Sequence, residues 1–266
     1  MQNETDIKNI VKEKYGKIAG REQGCCCCCG EDDTGDYTVF SEDYDHLEGY
    51  IKDADLNLGC GLPTEFAGIK PGDHVLDLGS GAGNDCFVAR METGENGKVT
   101  GLDFTPEMNE KARENAAKLN FNNVEFVEGD IDNMPIANGS QDVVISNCVL
   151  NLVPDKQKAF REIFRVLKAG GHFCISDVVV EGRLPDGLKM DAELYAGCVS
   201  GALGKSDYLK IIEETGFGNI TIHKQKVVEL PDELLMKYLD EEALQSFRES
   251  KTGIFSMTVS AEKPMN

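Results

Sequence analysis

The sequence predicts an α/β fold: a mostly parallel, doubly wound sheet with helices on both faces. Three observations carry that expectation. Strand and helix signals alternate from His74 onward, and the first strand runs directly into a glycine-rich turn, His74-Val-Leu-Asp-Leu-Gly-Ser-Gly-Ala-Gly83. Seven strand-like runs in all are interleaved with helical stretches, a pattern that places crossover helices between parallel strands.

Before the alternation begins, Ile7, Ile10, Val11 and Tyr15 recur at helical spacing and predict an amphipathic helix over Ile7–Ile18. Glycine and acidic residues dominate Gly20–Asp36, which reads as a loop carrying the five consecutive cysteines Cys25, Cys26, Cys27, Cys28 and Cys29. Strands are expected at His74–Ser80, Lys98–Phe104, Val124–Asp130, Gln141–Val149, Gly171–Val180, Ile220–Leu230 and Gly253–Lys263. Helices fit Asp85–Met91, Pro106–Leu119, Asp155–Leu167, Lys205–Thr215 and Pro231–Ser250. Pro106 and Pro231 suit a first helical turn, where the missing N–H costs nothing. The expected organisation is an N-terminal extension, residues 1–70, and one domain over 71–263. An insertion at 181–204 separates the fifth strand from its following helix.

Composition narrows the function classes. The 266 residues include 27 Lys+Arg against 47 Asp+Glu, a formal net charge of −20 that opposes nucleic acids and anionic membrane surfaces. The first thirty residues lack the apolar core of a secretory signal, and no run approaches a membrane-spanning length. Ten cysteines without export imply reduced thiols, so a cytoplasmic protein is expected, and a monomer, because oligomerisation signals are absent.

Glycines at 79, 81 and 83 let the backbone turn tightly and approach a ligand closely. A dinucleotide fingerprint, G-x-G-x-x-G, fails because Asn84 occupies its last position. The string Asp77-x-Gly79-x-Gly81-x-Gly83 instead resembles the first motif of S-adenosylmethionine-dependent methyltransferases, in which the acid and the loop hold the methionine end. About twenty residues on, Gly101-Leu102-Asp103 closes the second strand with a carboxylate where ribose hydroxyls need an acceptor. The third strand closes with Glu128-Gly129-Asp130-Ile131, from which such a fold presents Asp130 and Ile131 to adenine, with Met108 on the same side. Asn147 is placed among the cofactor-binding residues as well.

Cys60 in Asn57-Leu58-Gly59-Cys60-Gly61, Cys148 in Ser146-Asn147-Cys148-Val149 and Cys198 in Gly197-Cys198-Val199 stand in glycine-flanked or strand-end loops. One such thiol is ordinarily a small buried hydrophobe; three together suit a soft, three-coordinate acceptor. Cys86 and Cys174 lie inside a helix and a strand and are assigned to the core. With Leu76-Asp77-Leu78-Gly79-Ser80-Gly81-Ala82-Gly83, Asp85-Cys86, Asn151-Leu152, Pro154-Asp155-Lys156 and Gly201-Ala202, these cysteine contexts resemble the arsenite methyltransferases over nearly the whole chain.

That resemblance implies a seven-stranded, Rossmann-like methyltransferase sheet whose last two strands form an antiparallel edge, and S-adenosylmethionine as methyl donor. It implies As(III), presented as arsenite or its thiol conjugates, held by Cys148 and Cys198 with Cys60 as third ligand or relay partner. One of Cys25–Cys29 is the relay candidate, with glutathione or thioredoxin as the thiol reductant. The departures are the five-cysteine run, where a shorter pattern is expected, and Leu62 after Cys60-Gly61. Two other readings compete: a methyltransferase of a small organic acceptor, which needs an apolar pocket or an acid/base, and a non-catalytic thiolate protein sequestering a soft metal. His74, His172 and His223 are read as structural.

Overall fold

In the computed structural model, residues 4–20, 44–56, 58–182, 201–228, 232–249 and 252–265 are described. Helix α1 (Glu4–Ala19) and the short α2 (Thr64–Ala67) precede the sheet. The alternation then runs β1 (His74–Leu78), α3 (Asn84–Thr93), β2 (Lys98–Asp103), α4 (Pro106–Leu119), β3 (Val124–Glu128), β4 (Gln141–Asn147), α5 (Lys156–Val166) and β5 (Leu167–Glu181). It closes with β6 (Leu203–Gly204), α6 (Lys205–Thr215), β7 (Gly218–Val228), α7 (Asp232–Leu235), α8 (Glu241–Glu249) and β8 (Gly253–Glu262).

The strands order as β3-β2-β1-β4-β5-β8-β7, with the two-residue β6 beside β5. β1 through β5 are mutually parallel, whereas β8 is antiparallel to both β5 and β7. The doubly wound sheet is thus as expected, with an eighth short strand added. The last strand is not outermost: it is inserted between β5 and β7.

Period-two alternation builds the two cores. Val75, Val143, Ile145 and Cys174 face Phe87, Ala112 and Ala116 on one side. Leu76, Leu78, Val144, Phe173 and Ile175 face Phe160, Ile163, Tyr208 and Ile212 on the other. Central strands covered on both faces read as continuous apolar runs, which is why β1 and β4 were legible.

Most boundaries fall within about three residues of expectation, and two departures are larger. β5 begins at Leu167, directly at the end of α5, rather than at Gly171. The helix expected over Pro231–Ser250 is broken in two, because the Asp240 carboxylate accepts the Ala243 N–H at 2.8 Å and starts α8 as a new helix. Among the described residues, no helix is long and apolar enough to cross a membrane.

Candidate active site

Strand order reverses at β1 and β4, and a ligand crevice is expected beyond the carboxyl ends of strands at such a point. A cleft opens there. Gly79 and Gly81 form its base, Asp103 and Met108 one end, and Asn147 and Cys148 the other; Val11 and Tyr15 of α1 reach over it.

The base is held by backbone bonds. The Gly79 and Ser80 N–H groups donate to the Leu102 carbonyl at 2.7 and 3.1 Å, tying the turn to β2. Gly79 has φ +66°, and a Cβ there would lie 2.5 Å from Val149 Cγ2, so conformation and space both demand glycine. Asp103 accepts the Gly81 N–H at 3.0 Å and the Thr105 N–H at 2.8 Å, through separate carboxylate oxygens. Burial pushes its carboxyl above the usual range, against the lowering effect of those bonds.

Ser80 Oγ is buried at the cleft without a hydrogen-bond partner among the described residues. An orphaned hydroxyl beside an acceptor carboxylate and a close-approach glycine turn fits a polar ligand such as the nucleoside and amino-acid parts of S-adenosylmethionine.

The other predicted cofactor residues are placed unevenly. Met108 is buried at the cleft wall, and Gly83 caps α3 beneath the turn. Asp77 does not line the cleft: it is buried below, accepts the Cys86 Sγ–H at 3.2 Å, and is pushed well up by burial and by the charge of Asp85. Asp130 also lies outside the cleft and pairs with Lys8 of α1 at 2.6 Å, while Lys8 reaches Asp132 at 2.8 Å. Ile131 packs into the core.

Sequence reasoning missed a polar hub at the far end. Tyr44 Oη donates to Asp85 at 3.1 Å, and Asn147 Nδ2 donates to Tyr44 Oη at 2.6 Å, to the Gly61 carbonyl at 2.7 Å and to Asp85 at 3.2 Å. Asn147 Oδ1 accepts the Cys60 and Gly61 N–H groups at 3.0 and 3.3 Å. Burial pushes Tyr44 well up, so it keeps its proton and remains a donor. Burial also raises Asp85 to about 6, with Asn147 and Tyr44 opposing the rise. The one local signal was an acid at the first turn of α3, directly after the glycine turn.

A carboxyl raised on folding contributes stability that is fully present below its unfolded pKa, near 4, and lost as pH rises through about 6. Asp85→Asn should therefore gain on the parent protein between pH 4.5 and pH 8, by about 2 kcal/mol. Urea unfolding of both proteins at the two pH values checks this; a gap that does not change with pH contradicts it.

Cys60, Cys86, Cys148 and Cys174 carry thiols. Cys86 and Cys174 are buried in the core as expected. Cys148 follows β4 with φ +60°, its N–H donating to the Ser176 carbonyl at 2.7 Å, and it lines the cleft. Cys60 packs with it in one apolar cluster that includes Val178, Val180 and Ile254. The glycines around Cys60 follow from close approach. A Cβ on Gly59 would sit 2.6 Å from Asn147 Nδ2, and one on Gly61 2.6 Å from Ser176 Oγ. Ser256 Oγ on β8 donates to the Cys60 carbonyl. Cys198 and Cys25–Cys29 lie outside the described residues. No histidine lines the cleft; His172 and His223 instead bond the Ala67 carbonyl and Ser260.

A family model described as a methyltransferase domain matches residues 69–216, more than half of the chain. An arsenite methyltransferase of Halobacterium salinarum is 44% identical over 229 residues, covering 82% of this chain and 59% of its own length. One from Aquipseudomonas alcaligenes is 38% identical over 190 residues, covering 69% and 54%. The chain thus spans little more than half the length of these curated relatives. Among solved structures, an arsenic(III) S-adenosylmethionine methyltransferase from Chlamydomonas reinhardtii matches with a TM-score of 0.65 at 35% identity, covering 77% of this chain and 68% of that one.

Proposed function

This chain belongs to the arsenite methyltransferases, within the methyltransferase-domain family, and on that premise we propose that it moves methyl groups from S-adenosylmethionine to thiol-bound As(III). The observation that carries the reading is the position of Cys148: one thiol lines the donor cleft and shares a packed cluster with Cys60. Soft sulfur ligands hold a soft, thiophilic acceptor, and Cys148 supplies one at the donor cleft.

In this reading Asp103 receives the ribose hydroxyls and the Gly79–Gly81 turn cradles the remainder of the donor. S-adenosylmethionine, when bound, supplies an electrophilic methyl on a sulfonium. Cys148, Cys198 and Cys60 hold arsenic with its lone pair directed along the S–CH₃ axis. Attack of that lone pair on the methyl would form the As–C bond while the S–C pair stayed on sulfur, leaving S-adenosylhomocysteine. No proton moves, so catalysis is chiefly positioning. The transfer formally oxidises arsenic to As(V). Cys60 and one member of Cys25–Cys29 return two electrons to it by forming a disulfide, which glutathione or thioredoxin reduces. Residues 71–263 are assigned to the methyltransferase domain and 181–204 to acceptor binding, in a cytoplasmic, monomeric protein.

The test is incubation of the purified protein with arsenite, methyl-tritiated S-adenosylmethionine and glutathione. Labelled methylated arsenicals and S-adenosylhomocysteine are expected in equal amounts on the first turnover. Arsenite binding with no labelled arsenical would leave the sequestering function instead.

A further inference from the structure

The hub of Tyr44, Asp85 and Asn147 touches both halves of the site. Asp85 lines the donor cleft, while Asn147 holds the backbone of Cys60 and Gly61 from a single side-chain oxygen. We propose that Asp85 binds the cationic amino end of the methyl donor and that Tyr44 and Asn147 carry its occupation to the Cys60 turn, so that donor and As(III) bind with positive coupling. The inference rests on the proposed methyl transfer and adds positioning residues to it.

Charge is the first argument. The described residues lining the cleft include Asp55, Asp85 and Asp103 and no lysine, arginine or histidine, which suits a ligand carrying an ammonium and a sulfonium. Asp103 lies at the β2 end, bound to the N–H groups of Gly81 and Thr105, where the nucleoside is assigned. Asp85 stands across the turn from it, next to Asn147 and Cys148, where the end of the donor opposite its nucleoside would lie.

Hydrogen supply is the second argument. Tyr44 has one O–H and Asn147 two amide N–H groups. Those three hydrogens face the Gly61 carbonyl, both Asp85 oxygens and Tyr44 Oη, with Tyr44 Oη 3.4 Å from the Gly61 carbonyl and 3.1 Å from each Asp85 oxygen. The acceptors outnumber the hydrogens. A ligand ammonium that donates to Asp85 relieves its demand, and the Tyr44 and Asn147 hydrogens shift to the Gly61 carbonyl. That shift draws the Tyr44 hydroxyl in from its present 3.4 Å and adds a bond to the turn that carries Cys60, beside the 2.7 Å bond from Asn147.

The test uses the full chain and S-adenosylhomocysteine, which keeps the amino end and has no methyl to transfer. Calorimetric titration measures arsenite affinity with and without it, and its own affinity with and without arsenite. In the parent protein each ligand should strengthen the other by about the same three- to tenfold factor, since coupling is reciprocal. In Tyr44→Phe both ligands should still bind, with S-adenosylhomocysteine weakened less than threefold and the coupling factor falling to one. Asp85→Asn should weaken S-adenosylhomocysteine about tenfold and also abolish coupling. A parent protein that binds both ligands independently would overturn the proposal. So would coupling that persists in both variants, with thermal unfolding confirming that they fold. Failure of the parent to bind arsenite at all would remove the methyl-transfer reading itself, and this proposal with it.

Discussion

Cys148→Ser should lower As(III) methylation by about 100-fold or more, equivalent to ~2.7 kcal/mol of transition-state stabilisation, while leaving S-adenosylhomocysteine affinity within about twofold. The exchange is nearly isosteric. The Cys148 N–H bond to Ser176 belongs to the backbone and survives it, so the loop after β4 keeps its path. What changes is the donor atom: a hydroxyl is a hard, weakly basic ligand and does not replace thiolate on arsenic. With one ligand gone the lone pair loses its direction, and misplacement of about 1 Å is enough for a loss of this size. Product speciation by chromatography, beside calorimetry of the dead-end cofactor, gives both readouts. Retained methylation of As(III) and of its monomethyl form would remove Cys148 from the acceptor site.

Asp103→Ala should act on the opposite half. Two charge-assisted hydrogen bonds to ribose hydroxyls, at about 1.5–3 kcal/mol each, disappear, so S-adenosylhomocysteine should bind at least about 100-fold more weakly. The same carboxylate holds the Gly81 and Thr105 N–H groups. Leaving them unsatisfied costs folding stability as well, by about 1–3 kcal/mol. Asp103→Asn, which keeps a carbonyl acceptor, should recover part of both losses. Calorimetry and denaturant unfolding distinguish these effects, and unchanged cofactor affinity in the alanine variant would place the ribose elsewhere.

The parts legible in the sequence are those whose physics is local. A strand buried on both faces and a turn that excludes Cβ atoms leave marks within ten residues, so β1, the Gly79–Gly81 turn and Asp103 could be read directly. Cys148 could be read because it stands immediately after a strand end. The hub could not, since Tyr44 meets Asp85 across 41 residues and Asn147 meets Asp85 across 62, without any shared spacing. The same distance hid the pairing of Lys8 with Asp130, 122 residues apart. The sinking of the motif acid Asp77 below the cleft was hidden for another reason: Cys86, only nine residues on, takes up its carboxylate, and a cysteine assigned to the core gives no sign that it donates to an acid. The break before α8 was missed because Asp240 competes for a backbone N–H that the amphipathic pattern alone would assign to a continuous helix.

The insertion of β8 between β5 and β7 sets an order of assembly during synthesis. Every residue lining the donor cleft precedes Val153, so its walls leave the ribosome early. The thiol cluster needs Ile254, and the Cys60 carbonyl needs Ser256, both on the last strand. At about 5–20 residues per second, the stretch from β5 to the end of β8 takes several seconds to make. Over that time the long edge of β5 that will pair with β8 from His172 to Glu181 has no antiparallel partner, and such an edge recruits foreign strands. A nascent chain can therefore be competent for the nucleoside before it can organise its thiols, and the growing polypeptide is most vulnerable to mispairing in the interval between the two.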